Sequence, residues 1–350
     1  MVSLRFSRLA PVLVGLLAVV NANALAKRNG TCTLLNQRKS WNVLNDDERS
    51  EFLRANKCLM EIPPRTGTIW NAQNRWDEFS YVHISMANYI HDSGQFLAWH
   101  RWYIKVLELD LQEYCNYTGA LPYWDELKDQ ATAPLNESAI FDPVMGFGGD
   151  GDPNNKYCIS DGPFANITLV MNMTSNFAHD CLSRQFNQTR FDLGPDNWDL
   201  CKDYSNYTTY WECSSNNIHG LGHIGVGGTE GLMANAVTSS GDPLFFLHHA
   251  WLDRAWWKWQ LQDKENRLYD MGGRNMELDI MVSYLGLSQP NKFTTDYSGD
   301  GDSNTTTLGH VLYTHDLRAN VTVGDVMDLN ADTICAEYVD DGGFNYTLGY

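Results

Sequence analysis

Six of the ten histidines in this chain fall into two separated triplets. His83, His91 and His100 form the first, and His219, His223 and His249 the second. Three imidazoles hold a copper ion and leave one position open for dioxygen, and two such sites face to face bind O2 between two metals. Both triplets offer imidazole almost exclusively, the ligand that copper(II) prefers over carboxylate. Zinc is the competing metal. A catalytic zinc hydrolase carries a Glu base in the pattern His-Glu-x-x-His, and here Gly220 follows His219. His179, His310 and His315 stand alone and are read as satisfied packing residues.

The spacing within each triplet says how the rings converge. His83 lies eight residues, about two helical turns, before His91 and shares its face. A turn at Ser93-Gly94 folds the chain back so that His91 and His100 meet, with Phe96 and Trp99 walling the site against water. His219 and His223, at i and i+4, aim at one point. The third ligand of this triplet comes from Asp242-Pro-Leu-Phe-Phe-Leu-His-His-Ala-Trp-Leu-Asp253, and position alone leaves His248 and His249 open. Phe245, four residues before His249, and Asp253, four after, supply a stacking ring and an orienting carboxylate, which favours His249. His248 is then a structural neighbour.

Three helical stretches must hold these residues. One runs from about Trp76 to Ile90 and resumes from His100 to Tyr114, where Ile104, Leu107, Leu111 and Tyr114 keep helical spacing. A short, Gly-rich one covers Ile218 to His223. The last runs from Pro243 to Leu261, opened by Asp242-Pro243. Long irregular segments lie between. The Gly/Asp-rich stretches from Gly146 to Pro153 and from Tyr297 to Asn304 lack the distal Glu of an EF-hand and are read as structural loops.

Composition narrows the class. The chain has 350 residues, is 43% hydrophobic and 12% aromatic, and fills a large core. Its net charge of −18 repels phosphate backbones, which argues against nucleic acid as a partner. Arg5 and Arg8, the apolar run Leu9 to Val20 and Ala22-Asn23-Ala24 read as a signal peptide over residues 1–24. That run is shorter than the roughly 20 residues a bilayer span needs, and no later run is long enough. Lys27-Arg28 closes a short pro-segment, 25–28, so the mature domain is expected over 29–350.

A secreted, glycosylated chain also fits ten N-x-S/T sequons, at Asn29, Asn116, Asn136, Asn166, Asn172, Asn187, Asn206, Asn304, Asn320 and Asn345. Eight Cys, an even number, favour up to four disulfides of unassigned pairing. No Cys-x-x-Cys pair offers a zinc site.

The residues around both triplets resemble the copper signatures of tyrosinases and related polyphenol oxidases. The first is His91-x4-Phe96-Leu-Ala-Trp99-His100-Arg101 followed by Glu108. The second is Asp242-Pro-x-Phe245-Phe-x-x-His249-x3-Asp253-Arg254. Leu121-Pro-Tyr-Trp-Asp125 and Asp253-Arg-Ala-Trp-Trp257 also look like family segments, and the likeness spans Trp70 to Trp259. The resemblance implies a mainly α fold: a four-helix bundle around two coppers, with long disulfide-stapled loops and a few short strands. It implies copper at His83, His91 and His100 and at His219, His223 and His249, and His249 rather than His248 as ligand. O2 and a small phenol would be the partners, and o-diphenols would be oxidised to o-quinones.

The chain departs from the family pattern in several places. Tyr89 occupies one usual position of a Cys that cross-links to the His aligned with His91, so no thioether is expected. Members strong on monophenols often carry Asn where this chain has Gly220, and a water-holding Glu a few residues upstream of the His aligned with His219; here the nearest acid is Glu212. Ala236 stands where many members carry a bulky gate residue, which points to an open entrance and larger substrates, and Ile224 is counted with the substrate-pocket residues. No sizeable C-terminal plug domain is expected in the chain that follows His249. The leading expectation is therefore a secreted dicopper oxidase of o-diphenols. A tyrosinase-type monooxygenase acting on tyrosine, other monophenols or a phenolic peptide in a secondary-metabolite pathway ranks second. A hemocyanin-like oxygen-binding protein ranks third.

Overall fold

The computed structural model describes residues 32–69, 72–170, 179–276, 278, 279, 283, 298–301 and 303–339. The expected signal peptide and pro-segment, the sequons at Asn29, Asn172 and Asn345, and Trp70 and Tyr297 lie outside the described residues.

The protein is mainly helical. The helices that frame the site are, in chain order, α1 (Asp46–Glu61), α2 (Arg75–Ile90), α3 (Phe96–Cys115), α4 (Glu126–Thr132), α5 (Gln188–Phe191), α6 (Gly194–Cys201), α7 (Tyr207–Ser214), α8 (Gly220–Gly227) and α9 (Leu244–Gln262), with single-turn helices following at Lys264–Arg267 and Val323–Val326. The bundle that carries the histidines comprises α2, α3, α8 and α9. Helices α3 and α9 pack directly on each other at its centre. Both are buried on nearly every face along most of their length, as expected of helices enclosed by others.

Local chemistry sets the ends. Asn45 and Glu48 form a capping box that starts α1, a helix outside the three expected stretches, and Asn74 caps α2 through the Asp77 N–H. Helix α3 begins at Phe96, four residues earlier than the spacing predicts, and closes at Asn116 in the left-handed region. Helix α8 runs on to Gly227 and is preceded by a wide turn over Ser215–His219. Its glycines give little intrinsic helix stability. Neighbouring backbone supplies the rest: the Gln185 and Asn187 N–H groups donate to the Val226 and Gly225 carbonyls.

Strands are few and short. They pair as β1 (Asn36–Arg38) with β8 (Ala336–Tyr338), β2 (Gly151–Asp152) with β3 (Cys158–Ile159), β4 (Thr168–Val170) with β5 (His179–Cys181), and β6 (Val311–Leu312) with β7 (Val321–Thr322). Only β1 and β8 run parallel.

All eight cysteines pair, as Cys32–Cys335, Cys58–Cys115, Cys158–Cys181 and Cys201–Cys213. None is left to cross-link a histidine. In the first Gly/Asp-rich loop the carboxylates serve the chain itself: Asp150 accepts from the Phe186 N–H and Asp152 from the Asn154 N–H. Asp300, in the second, takes hydrogen bonds from Asn275, Thr307 and His310. No helix among the described residues is long and apolar enough to cross a membrane.

Candidate metal centre

The two triplets meet inside the bundle. The ring nitrogens of His83, His91 and His100 form one cluster, and those of His219, His223, His248 and His249 a second, each within 4.8 Å. The clusters touch. His100 stacks on His249 with centroids 4.2 Å apart and planes 9° apart, and His91 lies 6.4 Å from His219.

Hydrogen bonds fix which nitrogen faces inward. A carbonyl oxygen only accepts, so an Nδ1 beside one carries the proton and leaves the Nε2 lone pair free. His91, His100 and His219 donate to the carbonyls of Ala87, Phe96 and Ser215, each four residues back. His83 donates to the Val237 carbonyl and His223 to that of Met233. The Nε2 atoms of His83, His100 and His219 are buried without a partner. Buried orphan lone pairs are costly, and convergent ones suit a metal that prefers imidazole. The donor set fits copper.

His91 sits differently from the reading that placed it on the helix face. It caps α2 in an extended conformation, and Asp92 follows at φ 48°. At Gly94 a Cβ would run into the Gly272 carbonyl, so the turn there requires glycine. Phe96 and Trp99 are buried, 4.7 and 5.0 Å from His100, and Phe245 lies 4.1 Å from His249 and 4.9 Å from His83. Phe245 has no exposed surface, so it forms a floor rather than a docking face. His91, His219, Gly220 and Ala236 are half-buried, and Ile224 is 37% exposed.

Asp253 corrects an expectation. Its carboxylate does not orient His249, whose two ring nitrogens both lack a hydrogen-bond partner. It binds Arg101 Nε at 2.5 Å, Arg38 Nη1 at 3.3 Å and the Tyr338 hydroxyl at 2.6 Å. Two fully buried guanidiniums outcompete a neutral imidazole for a carboxylate. Glu108 joins the same network. Burial would raise its carboxyl, but Arg38, Lys105 and the Leu121 N–H bring it down to about 2.

The second cluster has a neighbour that local spacing could not reveal. Glu126 Oε1 lies 2.5 Å from His248 Nδ1, bridging 122 residues. Burial, then Asp129 and Asp125, push the Glu126 carboxyl well above its usual range, and burial holds His248 down to about 3. Gly222 makes room for the pair: a Cβ there would meet His248 at 2.5 Å and Glu126 at 2.8 Å. The segment Leu121 to Asp125 delivers Glu126, because Asp125 caps α4.

Burial depresses the other clustered imidazoles as well. His91 falls to about 4, while His83, His100, His219, His223 and His249 lie well below 6.5, through burial first and neighbouring histidines second. They are neutral at pH 7, the state that binds metal. Below pH 6.5 the unfolded chain takes up protons that the folded, copper-free chain refuses. Stability is therefore complete above that pH and declines as pH falls from 6.5 towards 4. Each excluded imidazole contributes a slope of about 1.4 kcal/mol per pH unit. The melting temperature of copper-free protein should drop steeply between pH 7 and pH 5; a flat profile would contradict this burial.

Comparison with known proteins agrees with the geometry. The family described as the common central domain of tyrosinase matches residues 73–262. The tyrosinase-like protein phomQ1 of Diaporthe leptostromiformis is 31% identical over 332 residues, covering 88% of this chain and 78% of its own. Tyrosinase ustQ of Aspergillus flavus is 30% identical over 322 residues, covering 86% and 78%. Among solved structures, a mutant polyphenol oxidase from Thermothelomyces thermophila shares the fold with a TM-score of 0.68 at 24% identity, over 87% of this chain and 89% of that one. Enzymes of this family use O2 and phenolic substrates at a dicopper centre. The chain belongs to the tyrosinase family and is a copper oxidoreductase.

Proposed function

We propose that the chain oxidises o-diphenols to o-quinones, with one copper held by His83, His91 and His100 and the other by His219, His223 and His249. The observation that carries the reading is the pair of touching imidazole clusters whose buried Nε2 atoms point inward without partners. His249 is preferred to His248 because its ring faces the first cluster across His100, whereas His248 lies behind it against Glu126. The coppers, when bound, supply the exchange of electrons between phenol and O2. The chain's own groups do the rest. The Nδ1–H bonds to carbonyls hold five rings with Nε2 inward. Phe96, Trp99 and Phe245 exclude water beneath the site. A phenol enters at the rim of His91, His219, Gly220, Ile224 and Ala236. Per O2, two o-diphenols give up four electrons and four protons, leaving two quinones and two waters.

The preference for diphenols rests on Gly220, which offers no side chain to hold a water or take a phenol proton. Glu212 does not serve in its place; it is half exposed and faces Arg274 at 3.8 Å. O2 uptake on catechol with none on tyrosine is the expected result. Uptake on tyrosine would favour the monooxygenase reading, which draws support from the relative named a tyrosinase. Gly220→Asn tests the residue itself. Gly220 is helical, and nothing lies within 4 Å of a Cβ there, so the variant should fold with helix stability unchanged or about 0.5 kcal/mol better. Tyrosine-dependent uptake should rise from background while catechol oxidation persists. No gain on tyrosine would show that Gly220 does not set the preference.

Secretion belongs to the same proposal, as does a single catalytic domain over 29–350. Four disulfides suit an oxidising compartment. The sequon residues Asn116, Asn136, Asn166, Asn206, Asn304 and Asn320 are exposed, Asn206 also capping α7, while Asn187 is half-buried as the cap of α5.

A further inference from the structure

Three clustered histidines, His91, His100 and His219, are oriented by carbonyls four residues back in their own segments. Of the six proposed ligands, His83 and His223 are the two that hydrogen-bond outside their own segments, and both reach the same place. The Met233 carbonyl accepts from His223 Nδ1 at 2.7 Å, and the Val237 carbonyl accepts from His83 Nδ1 at 2.9 Å. One of these rings belongs to each cluster.

We propose that residues 233–237 form a strap that orients one copper ligand in each site at once, with Asn235 as its positioning residue. This rests on the assignment of both triplets to copper. The strap is held in shape by Asn235, whose Oδ1 accepts from the Val237 N–H at 2.9 Å and the Thr238 N–H at 3.2 Å. Its backbone closes the turn on both sides, donating to the Leu232 carbonyl and accepting from the Ser239 N–H. At Gly227 a Cβ would run into Ala234, so the strap lies directly on α8. Asn235 itself is exposed and touches neither cluster. Its side chain therefore acts through the two carbonyls that it spaces, and loosening it disturbs both sites together rather than one.

The test compares Asn235→Ala with Asn235→Asp, whose carboxylate accepts the same two N–H bonds. Copper per chain is measured during dialysis against a competing chelator, alongside the melting temperature of copper-free protein. Asn235→Ala should weaken copper at both sites by about tenfold or more, the usual effect of removing an outer support, with the two coppers leaving together. Asn235→Asp should retain copper as the wild type does, and the copper-free melting temperature should move little in either variant. In copper-free protein the Nδ1–H protons of His83 and His223 should exchange faster in the Ala variant, and that of His100 should not. Loss of copper from one site alone, unchanged retention, or identical behaviour of Ala and Asp would overturn the strap. A wild-type chain that never binds two coppers would instead sink the assignment of the triplets, and the strap with it.

Discussion

His249→Ala should reduce bound copper from two per chain to one and lower O2 uptake on catechol to the uncatalysed background. The reasoning is geometric. His249 packs on His100 of the opposite cluster and lies 5.1 Å from His219 and 5.5 Å from His223, so its removal breaks the second triplet where the two sites face. A site reduced to two imidazoles holds copper poorly, and a two-electron oxidation shared between two metals fails with one missing. His248→Ala is the contrasting variant. It leaves the inward-facing ring in place but strips Glu126 of its partner, a buried polar group whose orphaning costs about 1–3 kcal/mol. It should keep both coppers and melt earlier. Metal analysis and O2 uptake on the two variants decide between the neighbours. Two coppers in His249→Ala and one in His248→Ala would reverse the assignment.

Asp253→Ala should destabilise the fold by about 3–5 kcal/mol, because it leaves buried charge without its counterion. Its carboxylate joins Arg101 of α3, Arg38 of β1 and Tyr338 of β8, and neither arginine has exposed surface. Arg38 keeps Glu108, and Arg101 keeps the Val326 and Met327 carbonyls and its place over Trp256. Those contacts place the loss at the lower end of the range. Urea unfolding at pH 7 measures it, and a loss under 1 kcal/mol would contradict a network of this kind. The fraction that folds should still bind two coppers, since Asp253 does not touch His249. A folded variant that has lost one copper would restore the orienting role that its spacing implies.

That spacing shows where sequence stops being informative. The ligand triplets are legible because imidazoles are scarce and their separations are local: i and i+4 for His219 and His223, and a tight turn between His91 and His100. The body of α3 is legible through the periodic apolar residues Ile104, Leu107, Leu111 and Tyr114, and α9 through Asp242-Pro243 at its start. Asp253 shares a helix face with His249, yet its partner Arg38 lies 215 residues away, and no local pattern records that competition. Glu126 is hidden likewise, 122 residues from His248. The start of α3 shifts because Gln95 gives no side-chain cap to mark it. Helix α1 is a different case. Asn45 and Glu48 carry the capping-box signal, with Phe52, Leu53, Ala55 and Leu59 on the buried face behind it, so that helix was readable. The strap at 233–237 was not, because its action runs through backbone carbonyls that any residue would provide.

The central claim is that the two imidazole clusters form one centre. The most direct measurement is copper content together with the electron paramagnetic resonance signal of the oxidised, fully loaded protein. Two copper(II) ions held face to face couple their spins and lose that signal. Two coppers per chain with little resonance intensity is the predicted result. Two coppers giving full intensity, or a chain that saturates at one, would mean that the triplets do not act as a pair.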